Sequence, residues 1–314
     1  MSFKRRVQIV LIFLLVAIEG LTFAAVLVET RNNLIEQSKG HLQSATRVFD
    51  NAIASRRAVL ETSVNVLTSD FGFKRAIATG DRPTLQSALY NHGNRVDADL
   101  AIFFNRQVEL VASTDALITE SSPHASSLAA QIKEDLSDNR TRADHVAVID
   151  GRALQLVLAP VRAPEVIGWV AIGFLVDDAL AGEIQALTNV HVTFVQTVPN
   201  RKVIAATLSS DDRRTMEHID EDRTALRREA DRYRLASGEF LGIHHSFSKS
   251  AQSAIAVELA TPLDDILQGF DAIRVRLFFI LMLALILSWV GASLLTSSIA
   301  RPLRAQARWV YNLS

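Results

Sequence analysis

The 314-residue sequence has no cysteine, only three tryptophans and three tyrosines, and seven prolines. Without cysteine there is no disulfide framework, no thiol nucleophile and no zinc finger, so a folded domain must stand on its apolar core. An excess of either charge is lacking too: 33 Lys and Arg face 34 Asp and Glu, a net charge of −1 at pH 7. No HExxH pair, phosphate-cradling glycine loop, nucleophile elbow or GGDEF signature occurs, which argues against catalysis in this stretch. No metal and no cofactor are expected.

What the sequence has in plenty is apolar residues, 49% of the total, and they gather in two blocks. Residues 7–28 are apolar but for Gln8, Glu19 and a few small residues, and residues 277–298 carry no charge. Each suffices for a membrane span, which takes about 20 residues. Thr22-Phe23-Ala24 could pass for a signal-peptide cleavage site, but the apolar core exceeds the usual ~7 to 15 residues, so a retained anchor is expected. Lys4, Arg5 and Arg6 precede the first block, and Arg301, Arg304 and Arg308 follow the second. Both basic flanks belong in the cytoplasm by the positive-inside rule, which puts the middle outside, in the periplasm of an inner-membrane protein. That middle is mildly acidic, which argues against a nucleic-acid partner.

After the first span, Leu42, Ala45, Phe49, Ala52, Val59 and Ser63 recur at alternating spacings of three and four, with Arg56 in the stripe. This predicts a stalk helix over residues 29–68 with a helical partner, hence a homodimer. Ser69-Asp70 and Gly80 bracket a short helix, and Asp81 with Pro83 opens another to about residue 96. Strands are then expected over 100–105, 108–114, 144–149, 153–161 and 167–176, with a helical insert in 115–142 and a hairpin at Asp150-Gly151. Asp177 caps a further helix. Strands at 190–196, 202–208, 240–247 and 253–259 predict a second, smaller sheet. Residues 210–233, dense in both charges, read as a solvated helix. Thr261-Pro262-Leu263-Asp264 places an N-cap, a first-turn proline and an acid ahead of a helix unbroken until Pro302. The fold class is therefore α+β, with two membrane helices flanking a stalk and two antiparallel-sheet modules.

This layout resembles the double-Cache sensors of bacterial receptors, whose modules are PAS-like, over roughly residues 29–276. The divisions it implies are 1–6 cytoplasmic, 7–28 first span, 29–68 stalk, 69–180 membrane-distal module, 181–260 membrane-proximal module, 261–276 exit helix, 277–298 second span and 299–314 relay. Leu67-Thr68-Ser69-Asp70-Phe71-Gly72-Phe73-Lys74-Arg75-Ala76-Ile77-Ala78-Thr79-Gly80-Asp81 is similar to the version found ahead of GGDEF and EAL modules, implying a cyclic-di-GMP output. Ser298-Ile299-Ala300-Arg301-Pro302-Leu303-Arg304 resembles the opening of a HAMP relay. The Arg-x-Trp-Tyr type of cluster that marks the amino-acid-binding Cache subgroup is missing, because residues 115–142 hold no Phe, Trp or Tyr, so an amino-acid ligand is not expected.

In Cache modules the pocket lies between the sheet and the helices covering it, which implies His92, Arg95, Ser113, Asp115, Arg142, His145 and Gln155 as ligand contacts here. His92 falls on an apolar helix face with Leu85, Ala88, Leu89 and Val96, where a buried, backbone-bonded imidazole is the simpler explanation. Arg95 reads equally as a snorkelling surface arginine. His244-His245 would point to opposite faces of a strand and not chelate one metal. Glu19, near the middle of the first span, is expected to face a partner helix or be protonated, which leaves a dimer-interface role and a tolerated oddity as its two readings. Glu19, Thr261, Pro262 and Pro302 are the candidate relay residues. The expected function is a sensor for a small polar or anionic ligand that shifts the second span. The alternatives are a periplasmic docking module for a protein, and a kinase or chemotaxis output.

Overall fold

The computed structural model describes residues 3–116, 118–119, 121–137, 144–149, 151–198, 200–219, 230–249 and 254–311. Two compact units make up the chain: residues 1–38 with 262–314, and residues 39–261.

In the first unit, α1 (Phe3–Ser69) enters from the N-terminus and α7 (Leu263–Tyr311) closes the chain. Each contains a stretch long and apolar enough to cross a membrane. Large apolar side chains such as Phe13, Leu21, Phe279 and Leu287 are exposed along them. The α7 helix follows the last strand with no residue between, starting at Leu263 with Asp264 and Asp265 in its first turn. Pro262 is thus the residue before the helix and not its first member. Pro302 lies inside α7, which runs on to Tyr311.

The second unit holds two five-stranded antiparallel sheets. The first comprises β1 (Leu100–Asn105), β2 (Leu110–Ser113), β3 (Asp144–Ile149), β4 (Arg152–Arg162) and β5 (Val166–Val176), in the order β2-β1-β5-β4-β3. The second comprises β6 (His191–Gln196), β7 (Lys202–Ala206), β8 (Asp231–Arg234), β9 (Glu239–Lys249) and β10 (Ala254–Pro262), in the order β7-β6-β10-β9-β8. Adding five to each number of the first order gives the second, so the modules share one topology. The second sheet is no smaller in strand number than the first. Its fifth strand, β8, falls where a charged helix was expected; among the described residues of that stretch α6 (Ser210–Glu217) is helical. Alternation explains the difference: Arg232 and Arg234 are exposed on an edge strand while Tyr233 pairs with Phe240.

Helix boundaries follow their caps. The Asp70 carboxylate accepts from the Phe73 amide and opens α2 (Phe71–Thr79), which Gly80 ends in the left-handed region at φ 67°. Asp81 accepts from the Thr84 amide to open α3 (Arg82–Asn94), and Asp177 from Leu180 to open α5 (Asp178–Thr188). The insert holds α4 (Pro123–Ser137).

From Lys39 onward, α1 is a core helix. Leu42, Ala45, Phe49, Ile53, Leu60, Ser63, Val64 and Leu67 are buried, whereas Val59 is exposed. The strict 3.5-residue stripe read from the sequence drifts about 20° per heptad on a straight helix, so the buried line passes to Ile53, Leu60 and Val64. Phe49 lies 6.0 Å from the Phe194 ring and 5.8 Å from Phe247, while Arg56 pairs with Glu183 and sits 5.2 Å above the Phe174 ring. One helix therefore packs against both sheets.

Candidate functional site

The first sheet is covered on both faces, so alternation along its strands decides which side chains meet. On one face Phe103 makes an edge contact with Phe73 of α2 at 5.7 Å, and Gly93 of α3 backs onto Ala101. On the other, Leu128 and Ile132 of α4 join Ile102, Phe104, Leu154 and Leu156 in one apolar cluster.

The candidate ligand residues divide between these faces. His92 and Arg95 belong to α3 and its C-cap, with Arg95 exposed. Ser113 pairs in register with Ile102 and so shares the α4 face. Its hydroxyl donates to the Asp115 carbonyl and accepts from the Asp115 amide, and Arg152 donates to the Asp115 carboxylate at 2.8 Å. Gln155, 1% exposed, pairs with Val146 and Phe174 and faces α1. Arg142 lies outside the described residues, as does Asp150. His145 is placed only by its backbone, opposite Leu156 in β3. Ser113 and Asp115 are brought together, joined by Arg152; His92 and Gln155 are not part of that group.

His92 is half-buried and shows no hydrogen bond to backbone among those described. Burial lowers its pKa below the ordinary histidine value, Arg95 adds to the effect, and Asp70 opposes it.

A cavity of about 190 Å³ opens where α1 runs between the sheets. Its wall is Phe49, Asp50, Ile53, Ala54 and Arg57 of α1, Val146 and Gln155 of the first sheet, and Ser246 and Phe247 of the second. The Asp50 carboxylate accepts from Nε2 of His245 at 2.8 Å, and Arg57 stands 3.6 Å from Glu61. Except for Gln155, sequence reasoning missed this lining. The available signal was Asp50 and Arg57, one heptad apart on the flank of the Phe49 and Ile53 stripe.

The second sheet has a buried polar group on the face away from α1. Glu258 is 3% exposed; Nδ1 of His244 donates to it at 2.7 Å, and Arg201 stands 4.0 Å off while its Nε donates to the Met216 carbonyl. Burial pushes the neighbouring Tyr233 phenol well above its usual pKa, with Glu258 adding to it. Asp212 is buried, which opposes its charge, yet the Ser237 amide and the Ser209 and Ser237 hydroxyls outweigh this and hold its pKa low. As expected, His244 and His245 point to opposite faces. Among the described residues no cluster of three or more His, Cys, Asp or Glu could hold a metal ion.

In the first unit the Ser288 hydroxyl donates to Oε1 of Glu19 at 2.8 Å. Glu19 thus faces the chain's own second apolar helix.

Residues 35–247 match a family described as the double sensory domain of two-component sensor kinases. The chain belongs to this family, dCache_3. Its fold is that of the sensor domain of the Vibrio cholerae histidine kinase DctB: 14% identity, 74% of this chain against 98% of that one, TM-score 0.50. The periplasmic domain of Vibrio cholerae LuxQ is similar at 12% identity, 70% and 99% coverage and TM-score 0.48. The ligand-binding domain of the Pseudomonas fluorescens chemoreceptor CtaA, solved with L-isoleucine, is similar at 11% identity, 76% and 96% coverage and TM-score 0.48. No curated protein matches the sequence. The dCache_3 sensor and the two apolar helices at its ends suit an inner-membrane receptor.

Proposed function

We propose that this chain senses a small polar ligand outside the cytoplasmic membrane and relays the signal along α7 to a cytoplasmic output. The observation that carries this reading is the dCache_3 match over residues 35–247, set between two helices able to span a bilayer. The absence of any residue between β10 and α7 supports a mechanical relay through Thr261 and Pro262. A ligand drives it only by binding one arrangement of α7 better than another, a preference of about 1 to 3 kcal/mol in typical allosteric proteins.

Basic residues at both flanks support cytoplasmic termini. The motif around Pro302 supports the start of a HAMP relay. Its helical continuation to Tyr311 fits a first relay helix fused to the span. For the output, the family description favours a histidine kinase, while a cyclic-di-GMP enzyme rests on the likeness of residues 67–81 alone. A homodimer is supported by Val48, Val59 and Val66, which are exposed along one line of α1. In the distal module, Ser113, Asp115 and Arg152 are the polar group most able to meet a ligand, with His145 in β3 and Arg142 just ahead of that strand in sequence.

Alkaline phosphatase fusions test the topology. Activity is expected for a fusion at Gly151 and none for one after Tyr311; the reverse pattern refutes the reading.

A further inference from the structure

We infer that Arg31 and Arg276, with Arg274 beside them, form a basic collar that binds the phosphate of an anionic phospholipid at the outer surface of the bilayer. The inference rests on the reading that α1 and α7 span the membrane, and it adds a lipid to what the receptor recognises.

The level of the collar follows from the contact between Ser288 and Glu19. Both helix segments belong to the first unit, and as successive spans they run in opposite directions. A residue some places beyond Glu19 therefore stands level with one as many places before Ser288. Arg31 and Arg276 are each twelve residues outward from the contact, about 18 Å along the axis. The apolar runs agree with this register: one ends at Val28 and the other begins at Leu277, nine and eleven residues from the same contact. Inward, Arg6 and Arg301 are each thirteen residues from it. From Arg6 to Arg31, and from Arg276 to Arg301, is roughly 37 Å. A bilayer with its headgroups measures ~40 to 45 Å, so both pairs of arginines fall near a layer of lipid phosphates.

Cations on the outer side depart from the positive-inside rule. Arg31, Arg274 and Arg276 are all exposed. Over residues 24–35 and 272–284 these three arginines stand against one acid, Glu29, which leaves an excess of two positive charges. Glu36 and Asp271 come five residues farther out on their helices, roughly 7.5 Å. The guanidinium fork matches a phosphate with two parallel hydrogen bonds. A choline headgroup would bring its own cation beside the arginines, so phosphatidylglycerol is favoured over phosphatidylcholine. Phe278 and Phe279, exposed just inside the collar, suit the acyl chains. Because α7 begins where β10 ends, a lipid held at Arg274 and Arg276 bears on the depth of the helix that carries the signal.

Photolabelling of the full chain in vesicles of phosphatidylglycerol and phosphatidylcholine tests the collar. With a trace of phosphatidylglycerol made photoreactive in its headgroup, adducts are expected within residues 29–34 and 272–278. A larger share of plain phosphatidylglycerol should suppress them, while soluble glycerol 3-phosphate should not. Arg31→Gln and Arg276→Gln are each expected to weaken labelling about fivefold, as for one basic residue at an anionic lipid surface. Arg31→Lys with Arg276→Lys should keep most of it. Equal labelling by the phosphatidylcholine analogue, suppression by glycerol 3-phosphate, or labelling unchanged by the paired Gln substitutions overturns the assignment. A lipid photoreactive in its acyl chain scores the spans separately. Adducts at Leu21 and Leu287 without headgroup selectivity remove the lipid site and leave the receptor reading, whereas none at either residue removes both.

Discussion

The hydroxyl of Ser288 donates a 2.8 Å hydrogen bond to Glu19, tying the two apolar helices of one chain together at the acid of the first. The second carboxylate oxygen, Oε2, is buried without a hydrogen-bond partner among the described residues. A carboxyl group in hydrocarbon is costly unless it is paired or protonated, so this contact gives Glu19 a place in the spans that needs no second copy of the chain.

A double-mutant cycle measures the contact. Glu19→Leu and Ser288→Ala are expected to show a coupling of about 0.6 kcal/mol, the average for such bonds between membrane helices, in unfolding of the full chain in detergent. Glu19→Gln keeps an acceptor and should retain most of the effect. Strictly additive single substitutions would mean that the two side chains do not interact.

His92 makes stability depend on pH in a definite direction. Its folded pKa is lowered, so near and below the ordinary value of 6.5 the unfolded chain takes up a proton more readily than the folded one. This contribution is complete above pH 6.5 and declines as pH falls from there through the folded pKa. Melting curves of wild type and His92→Gln should diverge in slope below about pH 6.5, with the variant less sensitive. Parallel curves would show that the imidazole titrates alike in both states.

Much of the architecture was legible because its signals are local. Asp70, Gly80, Asp81 and Asp177 fix helix ends through one side chain or one φ angle, and β3 and β4, on either side of the turn signal in the sequence, pair from Ile149 to Arg152. The ligand residues were harder because they depend on register across strands distant in sequence. Gln155 and Leu156 are neighbours in the chain yet face opposite layers, and only the pairing of β4 with β3 and β5 assigns the α1 side to Gln155. The Asp50 and Arg57 wall left only their one-heptad spacing as a signal, for a related reason. Nothing in α1 alone tells which flank of a long helix will meet a second sheet.

Arg201 and Glu258 are both almost fully buried in the second module, at 6% and 3% side-chain exposure. Removing Glu258 strands the Arg201 charge away from water, so Glu258→Leu is expected to cost about 3 to 5 kcal/mol. Arg201→Met with Glu258→Leu should be the milder change, although it frees His244 from its carboxylate partner. Denaturant unfolding of the three proteins checks the order; a double variant weaker than the single one would contradict it.

Phe49 is a point where α1, whose N-terminal part is long and apolar enough to cross a membrane, is fastened to the second sheet. It is 1% exposed, and its ring meets Phe194, Phe247 and His245 within about 6 Å. Phe49→Ala removes a fully buried ring and leaves a hole that enlarges the adjoining cavity, so a loss of about 3 to 5 kcal/mol is expected. Phe194 and Phe247 also touch each other, at 5.6 Å. The three rings thus form one cluster, and Phe49→Ala with Phe247→Ala should cost less than the sum of the single changes. Additive losses would show that the aromatic cluster does not couple the helix to β9.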